Sequence, residues 1–400
     1  MDKPRFLLIN NYSMFASKDV WDSLGATIID DFQYDVFPFA VDVLNGFFST
    51  YHIRQLIIST AVSTRNNFTH VIFIGSTFIE DWVVASIQRT GIKVIYWSME
   101  DPHAFDQNSR FMELADYYFT NERAVFNKFK DKCYYLPTAA GHTVCRPAPY
   151  PFEKIPENEK KLLDSEVFFG GNIYPNRQKI LEPLIPHFEK HKIKFGIMGI
   201  TSLMDDYEKS PLLDYIKGDM EGVVDHRWII AGYQYSKFII NIERDPEYEY
   251  DRRYSSNRKY KIIGESLNPR AYEICLCKGG LQLIDDKRKE LYEEGVLEPG
   301  KHCVVYSSPE DMIEKILYYR EHEDERLKIV NAAYEHALKN HTYKSRALRM
   351  IDILNLKEGR RRDLITSVLS KLKNNPHMRR KKKNEKEGIL LPEQGNEKKE

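Results

Sequence analysis

Residues 264–280 read GESLNPRAYEICLCKGG, which sets Pro269, Arg270 and Glu273 at the head of an otherwise apolar helix. Charge inside apolar surroundings is costly unless it meets a partner. Pro269 suits a first helical turn, where its missing N–H is no loss. Arg270 and Glu273 then stand three residues apart on one face. Two readings follow. The pair is an internal salt bridge, or Arg270 faces a diphosphate while Glu273 accepts hydrogen bonds from ribose hydroxyls, with Asn268 beside them.

A second stretch, FFGGNIYPNRQKI at 168–180, runs an apolar strand into Gly170, Gly171 and Asn172, and opens a helix with Pro175 and Arg177. Glycines allow close backbone approach, and a helix N-terminus with an arginine attracts phosphate. The plain alternative is a tight turn with Arg177 on the surface. The third stretch, YWSMEDPHAFDQ at 96–107, is a strand followed by an acidic, histidine-bearing loop. If the strand ends at a cleft, Glu100, Asp101 and His103 point into it, and Asp101 or His103 could serve as general base on an acceptor hydroxyl. Otherwise Asp101-Pro102 is a turn.

Other chemistries leave no trace. The loop after the first apolar run reads INNYSMF and has no glycine of a dinucleotide fingerprint. There is no phosphate-binding GxxxxGK[ST], no GxSxG elbow, no HxH or HExxH, and no paired CxxC among the 5 cysteines. No bound metal or cofactor is expected, and Cys275 and Cys277 read as core filler.

These loops need a frame, and the sequence supplies a repeating one. RFLLIN (5–10), HVIFIG (70–75), KVIYWS (93–98) and DYYFT (116–120) are short apolar runs of the kind found in buried parallel strands. Residues 37–62 and 78–91 carry helical spacing between them. NERAVFNKFK starts on Asn121, a residue suited to cap a helix. Periodicity fades over 137–163 amid prolines and charges. It restarts with SEVFFGGN (165–172), IKFGIMG (193–199), KFIINI (237–242), LQLID (281–285) and HCVVYS (302–307), then helices to about 355. The expectation is an α/β chain of two Rossmann-like, doubly wound domains facing a cleft. The first occupies 1–140, a linker 141–163, the second 164–356, and a basic helix with a disordered tail 357–400. Ligands of open α/β sheets sit at the carboxyl ends of strands, so the cleft is where chemistry belongs.

Composition limits the partners. Equal totals of 59 basic and 59 acidic residues give no general case for nucleic acid. The basic excess is confined to 357–400, with 14 Lys/Arg against 7 Asp/Glu. Within it, Leu364, Ile365, Val368, Leu369 and Leu372 share a helical face, and RRKKK follows at 379–383. That pattern suits packing against the first domain, contact with an anionic membrane surface, or a clamp on nucleic acid. No run approaches the roughly 18 apolar residues of a membrane span. The N-terminal apolar run is too short for a signal-peptide core. A cytoplasmic location is the expectation.

With these residues in view, the chain resembles the CgeB-like (spore maturation protein) glycosyltransferases of GT-B fold, from about residue 70 to 355. The resemblance is carried by FFGGNIYPNR, NPRAYEICLCKGG with the following LQLIDD, YYLPTAAGHTVCRP, and the run from EPGKHCVVYSSPEDM to HTYKSRA. It implies a transferase moving a hexose from a nucleotide diphosphate sugar, of UDP type, to a hydroxyl acceptor on a glycan, polysaccharide or protein. The donor would bind the second domain through Gly170, Gly171, Asn172, Arg177, Asn268, Arg270 and Glu273, with no metal required. It also implies a glutamate pair eight positions apart, Glu265 and Glu273, contacting donor sugar and ribose, which adds Glu265 to Asp101 and His103 as a catalytic candidate. The glycines usual around the first glutamate are missing here. Two other readings stay open: a non-catalytic GT-B relic serving assembly of a surface layer, and a transferase acting on modified nucleic acid bases.

Overall fold

The structure is a computed structural model that describes residues 3–10, 15–218, 225–244 and 257–354. The expectations for the tail at 357–400, its apolar face and its RRKKK cluster lie outside the described residues.

Two parallel sheets form the frame. The first contains β1 (Arg5–Ile9), β2 (Asp35–Phe39), β3 (His70–Ile74), β4 (Lys93–Trp97), β5 (Tyr117–Thr120) and β6 (Tyr134–Tyr135), in the order β2-β1-β3-β4-β5-β6. The second contains β7 (Val167–Gly170), β8 (Phe195–Met198), β9 (Phe238–Asn241), β10 (Leu281–Asp285) and β11 (Val304–Tyr306), in the order β11-β10-β9-β7-β8. In both, the order reverses direction part-way across, which makes a crevice at the carboxyl ends of the central strands.

The strands are apolar at nearly every position because helices cover both faces. In the first sheet Leu7, Ile9, Val71, Phe73, Val94 and Tyr96 enter one core. Their neighbours Phe6, Leu8, Ile72, Ile74, Ile95 and Trp97 enter the other. The second sheet repeats this, with Val167, Phe169, Ile197 and Ile240 on one side and Phe168, Met198, Ile239 and Ile284 on the other. The sheet is a two-sided wedge, and only its strand ends are left for polar work. Gly279 permits a close approach before β10: a Cβ there would stand 2.2 Å from the carbonyl oxygen of Gln234.

Three features differ from the sequence reading. The segment from Phe37, read as helical, begins inside strand β2 and then forms two helices, Val41–Asn45 and Thr50–Val62. β2 is an edge strand, half-exposed and carrying Pro38, so it lacks the continuous apolar signature. The helix Arg123–Phe129 is capped by Glu122, not Asn121: the Glu122 side chain accepts from the Ala124 N–H. Finally, the helix Tyr343–Ile353 does not stay with the second domain, to which 164–356 had been assigned. The chain crosses at Ala140 and Thr342, where Ala140 N–H donates to His341 O (3.0 Å) and Tyr343 N–H to Ala140 O (3.2 Å). Tyr343, Ala347, Met350 and Ile351 are then buried beside Trp97 and Leu136 of the first domain. No helix among the described residues is long and apolar enough to cross a membrane.

Candidate functional site: a cleft lined by arginines

A cleft of about 360 Å³ lies between the two sheets. The loops after β4 and β5 form one wall; the loops after β7 and β9 and the helix Arg270–Cys277 form the other. Of the expected residues, Gly170, Gly171, Asn172, Arg177, Asn268, Arg270 and Glu273 all line it, as do Asp101 and His103 across the gap.

The helix begins as its sequence suggests. Asn268 Oδ1 accepts from the Ala271 N–H at 3.1 Å, which satisfies a donor that the first turn would leave bare. Its Nδ2 reaches Asn241 Oδ1 at 3.0 Å. Asn241 ends β9, fully buried, and also accepts from Arg270 Nη1 at 3.2 Å. Arg270 thereby lies across the ring of Phe169, its guanidinium 5.6 Å from the centroid. Arg177 approaches the same ring at 5.7 Å. Arg177 is buried and donates to Asn172 O (2.7 Å) and Ile242 O (3.1 Å). Burial first, then the neighbouring Arg270, draw its pKa down to about 9. Gly171 is where the fold makes room. Its φ of +141° favours glycine, and a Cβ would stand 2.2 Å from Arg270 Nη2.

Two cations on one ring repel, and neither forms an ion pair with a carboxylate among the described residues. Arg244 adds a third, over the Tyr174 ring at 4.8 Å. The buried Glu243 answers part of this charge: it accepts from the Asn268 N–H at 3.1 Å and lies 3.6 Å from Arg288 Nε. Such a cradle suits a polyanion.

Glu273 is not paired with Arg270. Its Oε1 lies 3.7 Å from His226 Nε2, at the start of the helix His226–Tyr235, and the residue remains 8% exposed toward the cleft. The internal salt bridge is therefore set aside, although Glu273 has a protein neighbour that its sequence context did not reveal.

Two catalytic candidates are corrected. Glu265 does not line the cleft; its carboxylate takes a hydrogen bond from Lys289 and another from Asn127 Nδ2 at 3.4 Å. The resemblance paired it with Glu273, but the chain before Asn268 is an irregular strap, and its carboxylate meets Asn127 and Lys289 instead. Asp101 borders the cleft yet is 2% exposed. It accepts from Tyr118 Oη (2.8 Å), Thr120 Oγ1 (2.8 Å) and Asn108 Nδ2 (3.2 Å). Desolvation raises its pKa, and these donors together with Ser98 turn its carboxylate into the protein rather than toward the cleft. Asp101 is a structural hub, not a base.

His103 keeps its candidacy. Burial holds its pKa well below the ordinary value, helped by Arg244, Arg288 and Arg177, so the imidazole is neutral. Its Nδ1 has no hydrogen-bond partner among the described residues. The sequence reading missed Glu122, His226, Glu243, Arg244 and Arg288. Glu243 and Arg244 follow directly on β9, where the strand-end rule alone would have found them.

The two facing doubly wound sheets have the GT-B fold. Residues 177–352 match the family model described as glycosyl transferase-like, so that span is a glycosyl transferase-like domain. In sequence the chain is similar to the spore protein CgeB of Bacillus subtilis, 21% identical over 278 residues, spanning 68% of this chain and 78% of that protein. In fold it is similar to a glycosyltransferase from Rickettsia africae, with a TM-score of 0.58 at 12% identity over 88% of this chain and 98% of the other. It is also similar to Anabaena HepE, solved with UDP and glucose, with a TM-score of 0.54 at 10% identity over 89% of this chain and all (100%) of that one.

Proposed function

We propose that the donor is a UDP-type sugar nucleotide and that a hexose passes from it to a hydroxyl acceptor. The carrying observation is the convergence of Arg177 and Arg270 on Phe169 at the cleft wall, with no carboxylate of the described residues bonded to either. A departing nucleoside diphosphate gains negative charge as the glycosidic bond breaks, and preorganised cations stabilise that charge. Glu273 accepts hydrogen bonds from the ribose hydroxyls. From the other wall, neutral His103 takes the proton of the attacking hydroxyl, once the bound diphosphate offsets the arginines that hold its pKa down. The UDP and glucose held by HepE support this choice of donor. The arginines assume the role a metal would otherwise have, so none is required. Sugar nucleotides are made in the cytoplasm, where we place the protein; contact with a membrane surface would fall to the tail.

Turnover tests the reading. Incubated with a panel of UDP-sugars and candidate hydroxyl acceptors, the chain should release UDP, and excess EDTA should leave the rate unchanged. Loss of release in EDTA, restored by a divalent cation, contradicts the metal-free reading. Tight binding without release of UDP in any pairing favours a non-catalytic relic.

A further inference from the structure

Residues 257–266 belong to the second domain, but first-domain side chains hold their backbone. Asp106 Oδ2 accepts from the N–H groups of Arg258 (2.7 Å) and Lys259 (2.9 Å), and Oδ1 from that of Tyr260 (3.3 Å). Tyr260 packs edge-on to Phe105 at 4.9 Å. Further along, Glu122 Oε1 accepts from the N–H groups of Glu265 (2.7 Å) and Ser266 (3.2 Å). The same oxygen accepts from Ala124 N–H at 3.0 Å, which anchors the carboxylate to the head of its own helix. Ser266 Oγ takes a hydrogen bond from Arg123 N–H at 2.8 Å and pairs with Tyr135 Oη at 3.0 Å.

A strap with no helix or ladder of its own must find acceptors for its N–H groups elsewhere. Lys261 and Ile262 turn to Asn257 within the strap, but for Arg258, Lys259, Tyr260, Glu265 and Ser266 the acceptors are first-domain carboxylates, whose hydrogen bonds are stronger than those of neutral acceptors. The second of these carboxylates acts just before Asn268, Arg270 and Glu273. Glu122 itself is 2% exposed at the rim of the cleft, where Arg288 and Glu290 of the second domain also act on its charge.

We propose that Glu122 is a positioning residue for the donor site: by gripping the backbone of Glu265 and Ser266 from the opposite domain, it fixes the head of the helix Arg270–Cys277. The donor site is thus complete only when the two domains are clasped. This rests on the donor-site reading above.

The test compares Glu122→Ala, Glu122→Gln and the unaltered chain by amide hydrogen exchange, by the dissociation constant for UDP-glucose, and by kcat and KM. Glu122→Ala should speed exchange at 258–266 while leaving strands β3 and β4 protected, and weaken UDP-glucose by at least about tenfold. The loss should fall on KM more than on kcat. Glu122→Gln keeps an acceptor oxygen in place and should restore affinity to within about threefold. Glu122→Asp retains the charge but draws the carboxylate back by one methylene; if the alanine variant does not fold, it decides the same question with the same expected losses. Unchanged strap exchange and unchanged affinity in the folded variant overturn the proposal. A lowered melting temperature with KM unmoved also overturns it, since that is a merely structural role. An unaltered chain that binds no UDP-sugar defeats the donor reading instead, a result distinct from one in which chain and variant bind alike.

Discussion

At the scale of single residues, the two acidic and basic candidates after β4 separate by burial and by partner. Asp101 faces donors only, so Asp101→Asn turns an amide N–H toward Tyr118 or Thr120 and should lower the melting temperature. His103→Ala removes no hydrogen bond seen at Nδ1 and should leave stability and donor affinity near those of the unaltered chain while cutting turnover by about 10² to 10⁴. Steady-state rates beside a thermal melt check both at once; equal turnover in His103→Ala removes the loop from the chemistry. Glu273→Ala should weaken donor binding by roughly 1.5–3 kcal/mol, the worth of hydrogen bonds to a charged acceptor. Calorimetric titration with UDP-glucose measures it, and an unchanged affinity would leave Glu273 as a partner of His226 alone. Residue types announced these sites, because an arginine or glutamate in an apolar helix has few inexpensive explanations. Partners were not announced: nothing in the spelling of residues 226 and 273 ties His226 to Glu273.

At the scale of elements, the legible parts were those with one dominant physical cause. Strands β1, β3, β4 and β5 read directly as apolar runs because both their faces are covered. β2 did not, since an edge strand with exposed positions carries no such run. The strap at 257–266 was equally silent, and the eight-residue interval from Glu265 to Glu273 misled, because spacing fixes a face only inside regular structure. Glu122 shows what the strap costs. Burial raises its pKa from 4.5 to about 7, against the pull of its backbone donors and Arg288. The folded chain therefore holds a proton that the unfolded chain has already released between about pH 4.5 and 7. Folded protein binds more protons across that window, so stability falls as pH rises through it and levels above pH 7, by up to about 3 kcal/mol. Glu122→Gln removes that slope. Denaturant midpoints at pH 5, 6, 7 and 8 should converge on or exceed those of the unaltered chain at high pH; parallel curves contradict the burial of an ionisable Glu122.

At the scale of the whole molecule, two doubly wound sheets turn their strand ends toward each other, and the chain ties them twice. The helix Tyr343–Ile353 returns to the first domain, and the strap at 257–266 is gripped by it. The two-domain α/β plan was open to reading from the restart of periodicity after residue 163. The return helix was not, because its amphipathic pattern says that a face is buried but not against which sheet. The proposal that this architecture carries is that Arg177, in the helix after β7, and Arg270, at the head of the helix Arg270–Cys277, hold a nucleoside diphosphate. The most direct measurement is calorimetric titration of the unaltered chain and Arg270→Ala with UDP, UMP and uridine. The account predicts that UDP binds more tightly than UMP and UMP more tightly than uridine. In Arg270→Ala the advantage of UDP should shrink by about tenfold or more, while uridine changes little. Equal affinities along the series, or equal losses of UDP and uridine in the variant, would contradict it.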